Sequence, residues 1–142
     1  MKYNEEIATK ILDQIATTSN GIANICKSIE NGCNVRDFYE WIRENEEFAK
    51  RYARAKEDQA DILVDEMIEI ADDKSRDTML IPDGNGGMKE VEDREWVSRS
   101  RLKIDVRKFI AMKLKPKKYG DKIQTEHSGE ISINNITGMK IE

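Results

Sequence analysis

The segment from Asn45 to Asp73 constrains the fold most strongly, because neither proline nor glycine interrupts it. Asn45 can cap the start of a helix, and Glu46 and Glu47 would then lie at the positive end of the helix dipole. Two stripes follow at helical spacing: one of Phe48, Tyr52, Ala55, Gln59 and Ile62, and a broader one of Ala60, Leu63, Val64, Met67, Ile68 and Ala71. A helix with so wide an apolar surface is expected to contact more than one neighbour.

A second long helix is predicted over residues 94–115, ending at Leu114 or Lys115 because Pro116 cannot continue it. Its buried side is expected to carry Leu102, Val106, Phe109, Ile110 and Trp96. The two long helices can pair as a helical hairpin within one chain, and they can also join copies of the chain; the two arrangements are compatible. The residues predicted to support oligomerisation are Leu63, Val64, Met67, Ile68, Leu102, Val106 and Phe109.

Charge is distributed unevenly between these two helices. Residues 99–122 hold ten lysines and arginines against two aspartates, whereas residues 57–73 hold eight carboxylates and no cation. Pairing of the two segments across an interface is favoured over direct DNA contact by the basic one. Helical spacing spreads the carboxylates over a solvated face, and His127 has no partner nearby in sequence, so no catalytic residue, metal site or cofactor is predicted.

The first 45 residues show three short amphipathic segments. Apolar residues repeat at helical spacing over residues 4–16, and Thr18, Ser19 or Asn20 is expected to cap a second helix. Asn31-Gly32 supplies the positive-φ residues that a tight reversal needs. Asn34 is expected to cap a third helix, with Val35, Phe38, Trp41 and Ile42 facing inward. Three helices with this turn match the helix-turn-helix pattern.

The third helix would then present Arg36, Tyr39 and Arg43 outward. Arginine can bond guanine in the major groove, and tyrosine or asparagine can reach phosphates or base edges. The predicted DNA-binding residues are Lys27, Asn34, Arg36, Tyr39 and Arg43. Residues 1–45 carry five lysines and arginines against seven carboxylates, so one unit should bind DNA weakly and many copies would be needed. A plain three-helix bundle with solubilising charges is the alternative.

Three further features of the sequence limit its possible structure and function. "TMLIPDGNGGMKEVED" (78–93) predicts a loose β-hairpin or mobile loop, and its glycines are no phosphate loop because no Gly-Lys-Ser/Thr follows. After Gly120, alternating isoleucines predict a short β-segment or a tail. Cys26 and Cys33 are expected to be reduced, and no membrane-spanning run or secretory signal is expected.

At "RLKIDVRKFIAMKLKPKKYGDK" (101–122) and "NEEFAKRYARAKEDQADILVDEMIEIADD" (45–73) the chain resembles the small terminase subunit of tailed bacteriophages. The matching elements are Glu47-Phe48, Tyr52 to Ala55, Ile70-Ala71-Asp72, Arg101-Leu102, Asp105, Arg107-Lys108, Pro116 and Lys118 to Lys122. The likeness covers roughly residues 19–122, and the closing block is its specific part. An insertion at about 76–93 and the last twenty residues depart from the pattern.

The resemblance implies a non-enzymatic protein that assembles into a ring, of roughly eight or more subunits. It implies that helix-turn-helix domains around the rim recognise double-stranded viral DNA at a packaging start site. The ring would recruit and regulate the large terminase subunit, the ATPase and nuclease, in the cytoplasm of the bacterial host. In similar proteins C-terminal strands form a β-barrel or tail that faces the large subunit.

The predicted fold is mainly α. A helix-turn-helix domain is expected over residues 1–46, a helical oligomerisation core over 47–119, and a C-terminal β-strand or tail segment over 120–142. Two other functions fit the same pattern. One is a dimeric helix-turn-helix transcriptional regulator, which would bind a palindromic operator. The other is an assembly adaptor whose N-terminal bundle binds protein.

Overall fold

The computed structural model describes residues 1–121, which form six helices and one two-stranded sheet. In chain order the elements are α1 (Glu5–Thr17), α2 (Ile22–Ser28), α3 (Val35–Glu44), α4 (Glu46–Asp72), β1 (Thr78–Pro82), β2 (Met88–Glu92), α5 (Arg94–Leu114) and α6 (Pro116–Tyr119). The mainly α fold is therefore confirmed. The β-segment expected after Gly120, and His127, lie outside the described residues. None of the described helices is both long and apolar enough to cross a membrane.

Asparagine side chains begin three of the helices. The side-chain oxygens of Asn4, Asn34 and Asn45 accept hydrogen bonds from backbone N–H groups three residues ahead, at 2.8 to 3.0 Å. The caps expected at Asn34 and Asn45 are confirmed, since such bonds satisfy N–H groups that the first helical turn leaves free.

The cap expected for α2 at Thr18, Ser19 or Asn20 is wrong. Helix α2 follows Gly21, which makes no side-chain cap bond. The Thr18 hydroxyl donates back to the Gln14 carbonyl at 2.6 Å and accepts from the Asn20 N–H at 3.3 Å, so it bonds the end of α1 and the loop but not the first turn of α2. These residues form a loop between α1 and α2.

Helices α1, α2 and α3 enclose a core together with the first half of α4. Phe38 of α3 and Phe48 of α4 are fully buried at its centre, with their rings edge to face at 5.5 Å. The Trp41 ring packs against Phe48, and its Nε1 donates to the Met1 carbonyl. Edge-to-face aromatic packing of this kind adds specific geometry to apolar burial.

The turn between α2 and α3 uses its two central residues differently. Asn31 has a φ of 54°, as a tight reversal requires. Gly32 is needed for close approach, because a Cβ there would lie 2.9 Å from the Ile29 carbonyl oxygen. Val35, expected inward, is 36% exposed: helical spacing places it on the side of Phe38 and Trp41, but as the first residue of α3 it lies at the edge of the core.

Helices α4 and α5 form an antiparallel helical hairpin, which confirms the arrangement expected within one chain. Arg107 pairs with Glu66, whereas the later Lys115 pairs with the earlier Asp61, so the helices run in opposite directions. Val97 and Ile104 of α5 line one cleft with Ile70 of α4, and Ala111 of α5 is buried.

The link between α4 and α5 is an antiparallel β-hairpin, registered from Thr78 opposite Glu92 to Pro82 opposite Met88. Gly84 and Gly86, both with a φ of 84°, close its tip. The Asp93 N–H donates to the Asp77 carbonyl at 2.8 Å and closes its base. Of the two structures considered for this segment, the hairpin is confirmed.

Candidate functional site

The predicted DNA-binding residues are all exposed on the unit formed by α1, α2, α3 and the first half of α4, which is called the helix-turn-helix unit below after the pattern predicted from its sequence. Arg36, Tyr39 and Arg43 follow one another along α3 at intervals of three and four residues, which places them on one side of the helix. Lys27, near the end of α2, and Asn34 line a single cleft at the turn. The five residues thus lie on α3, on the turn before it and at the end of α2.

Two of these side chains are held by neighbours. Asn34 uses its oxygen to cap α3, which leaves its amide NH2 group able to donate. The Tyr39 ring packs edge to face on Phe38, with centroids 5.4 Å apart, and remains 42% exposed. Burial raises the pKa of Tyr52, and the adjacent Tyr39 adds to that rise. Tyr39 is thus packed on Phe38 and interacts with Tyr52, with 42% of its surface left exposed.

The three cations of this surface, Lys27, Arg36 and Arg43, make few contacts with other described residues. Arg36 is 84% exposed and pairs with Glu40 one turn away, at 3.1 Å. Lys27 and Arg43 form no ion pair with any described residue. The N-terminal ammonium binds Asp37 at 3.2 Å, which offsets one carboxylate at the start of α3. Exposed pairs like Arg36–Glu40 contribute little and exchange readily for a phosphate partner.

The basic residues at the end of the helical hairpin are directed inward. Lys115 and Lys118 donate to Asp61 at 2.9 and 3.0 Å, and the Tyr119 hydroxyl also donates to it. Hydrogen bonds from Tyr119 first, and then from the two lysines, hold the pKa of Asp61 well below its usual range. Together with the 2.8 Å pair of Arg107 and Glu66, these contacts confirm that basic α5 pairs with acidic α4.

Helix α5 carries an apolar stripe that no described residue covers, formed by Leu102, Val106 and Phe109, which are 51%, 47% and 63% exposed. The expectation that these residues lie on the buried side is wrong for a single chain. Val97, Ile104 and Ala111, seven residues apart, occupy the α4 side instead. This seven-residue spacing was the sequence signal that sequence reasoning missed. Below, "the α5 stripe" means Leu102, Val106 and Phe109.

The remaining predicted oligomerisation residues, all on α4, differ in how exposed they are. Leu63 is buried, Val64 and Met67 are partly buried, and Ile68 is 58% exposed. Helical spacing places Ile68 beside the exposed carboxylates Asp65 and Glu69 and away from the Leu63 and Met67 side that contacts α5. Helix α4 thus has its own free surface.

The two outer sides of the helical hairpin carry opposite charges. On α4, the exposed side away from α5 consists of Asp58, Asp65, Glu69 and Asp72. On α5, Arg99, Lys103 and Lys113 border the α5 stripe, and the Lys113 ammonium lies 5.5 Å from the centre of the Phe109 ring. Below, "the acidic side" means these four carboxylates of α4.

Both cysteines and most carboxylates of the chain lie within the described residues. Cys26 and Cys33 are free and buried, and burial raises the pKa of Cys33 to about 12. A thiol held protonated in this way is a weak nucleophile. Over residues 1–121, no group of three or more His, Cys, Asp or Glu side chains could hold a metal ion.

Residues 3–126 match the sequence model of the family described as "Bacteriophage Sf6, terminase small subunit-like". The structure is similar to crystal structures of point variants of the terminase small subunit gp1 of the bacterial virus Sf6. One aligns with a TM-score of 0.67 and 28% identity, covering 92% of this chain and 91% of that chain. Another aligns with a TM-score of 0.66 and 28% identity, covering 92% and 86%. No curated protein matches this chain.

Proposed function

This chain belongs to the bacteriophage Sf6 terminase small subunit-like family, and from that membership we propose that it recognises viral DNA for packaging as a ring of identical subunits. The observation that carries the proposal is the pairing of an exposed helix-turn-helix surface with a helical hairpin whose outer sides are unpartnered. The helix-turn-helix surface contacts DNA, and the helical hairpins hold several copies of that surface together. Below, "the reader" means the helix-turn-helix unit of one chain.

Helix α3 enters the major groove, whose width admits an α-helix. Arg36 and Arg43 reach base edges or phosphates from the exposed side of α3, and Tyr39 contacts the backbone between them. Lys27 and the free amide group of Asn34 bind phosphate at the turn. The local carboxylates keep a single reader weak, since neutralised phosphates supply most non-specific affinity.

The helical hairpins assemble the ring. The α5 stripe and its bordering cations pack against the acidic side of the next subunit, where Ile68 supplies an apolar contact. Because the two contacting surfaces are different, the interface is heterologous, and repetition around a rotation axis closes it into a ring. Several weak readers on one ring then bind one DNA molecule by effective concentration.

The ring recruits and regulates the large terminase subunit, which supplies the ATPase and nuclease activities, in the cytoplasm of the host cell. Membership of the family supports this part of the proposal. No catalytic role is assigned to the present chain, whose contribution is recognition and assembly.

The proposal is tested by native mass measurement together with DNA binding across a salt series. We expect a species several times the mass of one chain, with affinity for duplex DNA that falls steeply as salt rises. Arg36→Ala with Arg43→Ala should weaken binding while the mass stays unchanged. A dimer that protects two half-sites one turn apart would identify a transcriptional regulator, and unchanged DNA retention by the double variant would identify an assembly adaptor.

A further inference from the structure

A buried glutamine of α4 forms hydrogen bonds with the loop between α1 and α2. The Gln59 side chain is 4% exposed, and its Nε2 donates to the carbonyl oxygens of Thr18 and Asn20 at 2.8 and 3.3 Å. Its Oε1 accepts from the Lys56 ammonium at 2.6 Å. Both ends of this amide are therefore bonded, which is the condition for burying it at little cost.

A second residue of α4 reaches the same loop from two turns further along. Glu66 accepts from Arg107 of α5 at 2.8 Å. Burial raises the pKa of Glu66, but the Ser19 hydroxyl and Arg107 together lower it by more, so the net pKa lies below its usual value. Ser19 lies between Thr18 and Asn20, so Gln59 and Glu66 of α4 both act on this loop.

Gln59 lies at the junction of the two units that α4 joins. Before it, Phe48 and Ala55 belong to the helix-turn-helix core, and after it Ala60 and Leu63 are buried. No proline or glycine interrupts α4 across this junction. A contact between Gln59 and the loop therefore relates the start of α2 to the direction of the helical hairpin.

Helix α2 needs such external support more than the other helices of the unit do. It has seven residues, and its cap, Gly21, makes no side-chain bond to it. Helices this short are unstable on their own, so their position depends on tertiary contacts. The Gln59 contact fixes the chain immediately before the first residue of α2.

We propose that Gln59 is a positioning residue for DNA recognition, which holds the start of α2, and with it Lys27 and the turn into α3, relative to the helical hairpin. Helix α3 itself packs directly on α4 through Phe38 and Phe48. The DNA-binding consequence rests on the proposed function; the structural consequence does not. In a ring, readers contact one DNA molecule together only when each faces the same way relative to its own hairpin. Loss of Gln59 would leave assembly intact and reduce the number of readers that engage at once.

The test uses Gln59→Met, which keeps the length and volume of the side chain but removes both donors. Gln59→Glu is the second variant, because it keeps the oxygen that binds Lys56 and places a carboxylate oxygen against the two carbonyls. Glu57→Met, at an exposed position two residues earlier on the same helix, is the control. Each full-length protein is examined by native mass, amide hydrogen exchange and DNA binding at low temperature, where all are folded.

Both Gln59 variants should keep the mass of the wild-type assembly. Exchange of the amides of residues 18–25 should be about tenfold faster, since the loop carbonyls lose their partner, while exchange in α5 stays unchanged. The affinity of the assembly for duplex DNA should fall about tenfold through lost multivalency. The control should match the wild type in exchange and should lose no affinity.

Unchanged exchange at residues 18–25 in either Gln59 variant would overturn the proposal. So would faster exchange with full DNA affinity, because the contact would then stabilise the loop without directing the reader. If the wild-type assembly binds no DNA at all, the proposed function fails, and the exchange measurement still decides whether Gln59 holds the loop.

Discussion

The helix-turn-helix unit and the helical hairpin achieve stability in contrasting ways, although they share α4. The first surrounds a closed core in which Ile11, Phe38 and Phe48 are fully buried. The second buries small or single apolar residues such as Leu63 and Ala111, adds ion pairs at Asp61 and Glu66, and leaves the α5 stripe uncovered. The first unit is closed within one chain, whereas the hairpin leaves apolar surface open, as the proposed assembly requires.

The largest effect that tests this contrast is expected at Phe38. Phe38→Ala removes a fully buried ring and should lower the free energy of unfolding of the helix-turn-helix unit by about 3–5 kcal/mol. Circular dichroism should show lost helix at low denaturant, while native mass still shows the assembly, because the α5 stripe is untouched. Arg43→Ala, at an exposed site, should change stability by less than about 0.5 kcal/mol. If the variant loses both the assembly and the folded helix-turn-helix unit, the two units fold as a single cooperative unit.

The next effect concerns the hairpin alone. Phe109→Asp replaces an exposed apolar side chain of the α5 stripe and brings a negative charge toward the acidic side of the neighbouring subunit. Association should weaken by about 2–3 kcal/mol per interface, the value of burying one phenylalanine, and the mass should fall toward that of one chain.

The matched control is Leu80→Asp in β1, which changes an equally exposed apolar residue outside the α5 stripe. It should leave the mass unaltered. An assembly that survives Phe109→Asp but dissociates on Leu80→Asp would move the interface from α5 to the β-hairpin.

The same contrast explains which features were predictable from sequence. Asn34 and Asn45 act on N–H groups three residues away, so local sequence was enough to identify both caps. The opposite charges of residues 57–73 and 99–122 likewise identified the pairing of α4 with α5. Helix α5, however, has apolar residues on two sides, and only the packed structure shows that Val97, Ile104 and Ala111 contact α4.

Contacts between residues distant in sequence were not predictable. Gln59 was placed on an apolar stripe, but its role depends on the carbonyls of Thr18 and Asn20, about forty residues earlier in the chain. The predicted start of α2 was wrong for the same reason. A short helix without a side-chain cap takes its boundary from tertiary contacts. For the candidate DNA surface, periodicity identified the exposed side of α3, and no local pattern indicated what holds that side in place.

A smaller effect distinguishes folding from recognition at the turn. Asn34→Ala removes the cap of α3 and should lower stability by about 1 kcal/mol. Asn34→Ser keeps a capping oxygen and should restore most of that stability, but it lacks the amide group proposed to bind phosphate. Chemical denaturation and DNA binding, measured on both variants, separate the two roles. If Asn34→Ser recovers stability and DNA affinity alike, Asn34 is only a cap.

The smallest effect is the pH dependence of the pair formed by Glu66 and Arg107. The pKa of Glu66 in the folded chain lies below its ordinary value of 4.5, because Ser19 and Arg107 outweigh the opposing effect of burial. A carboxylate with a lowered pKa stabilises the fold fully above its unfolded pKa, and that contribution is lost as pH falls through the folded value. The coupling energy from a double-mutant cycle of Glu66→Gln and Arg107→Ala should therefore be constant from pH 8 to about pH 5 and should decline below about pH 4.5. A coupling energy near zero at pH 7 would mean that the pair adds nothing to the hairpin, which would then be held by apolar packing, as the first unit is, and the contrast between the two units would disappear.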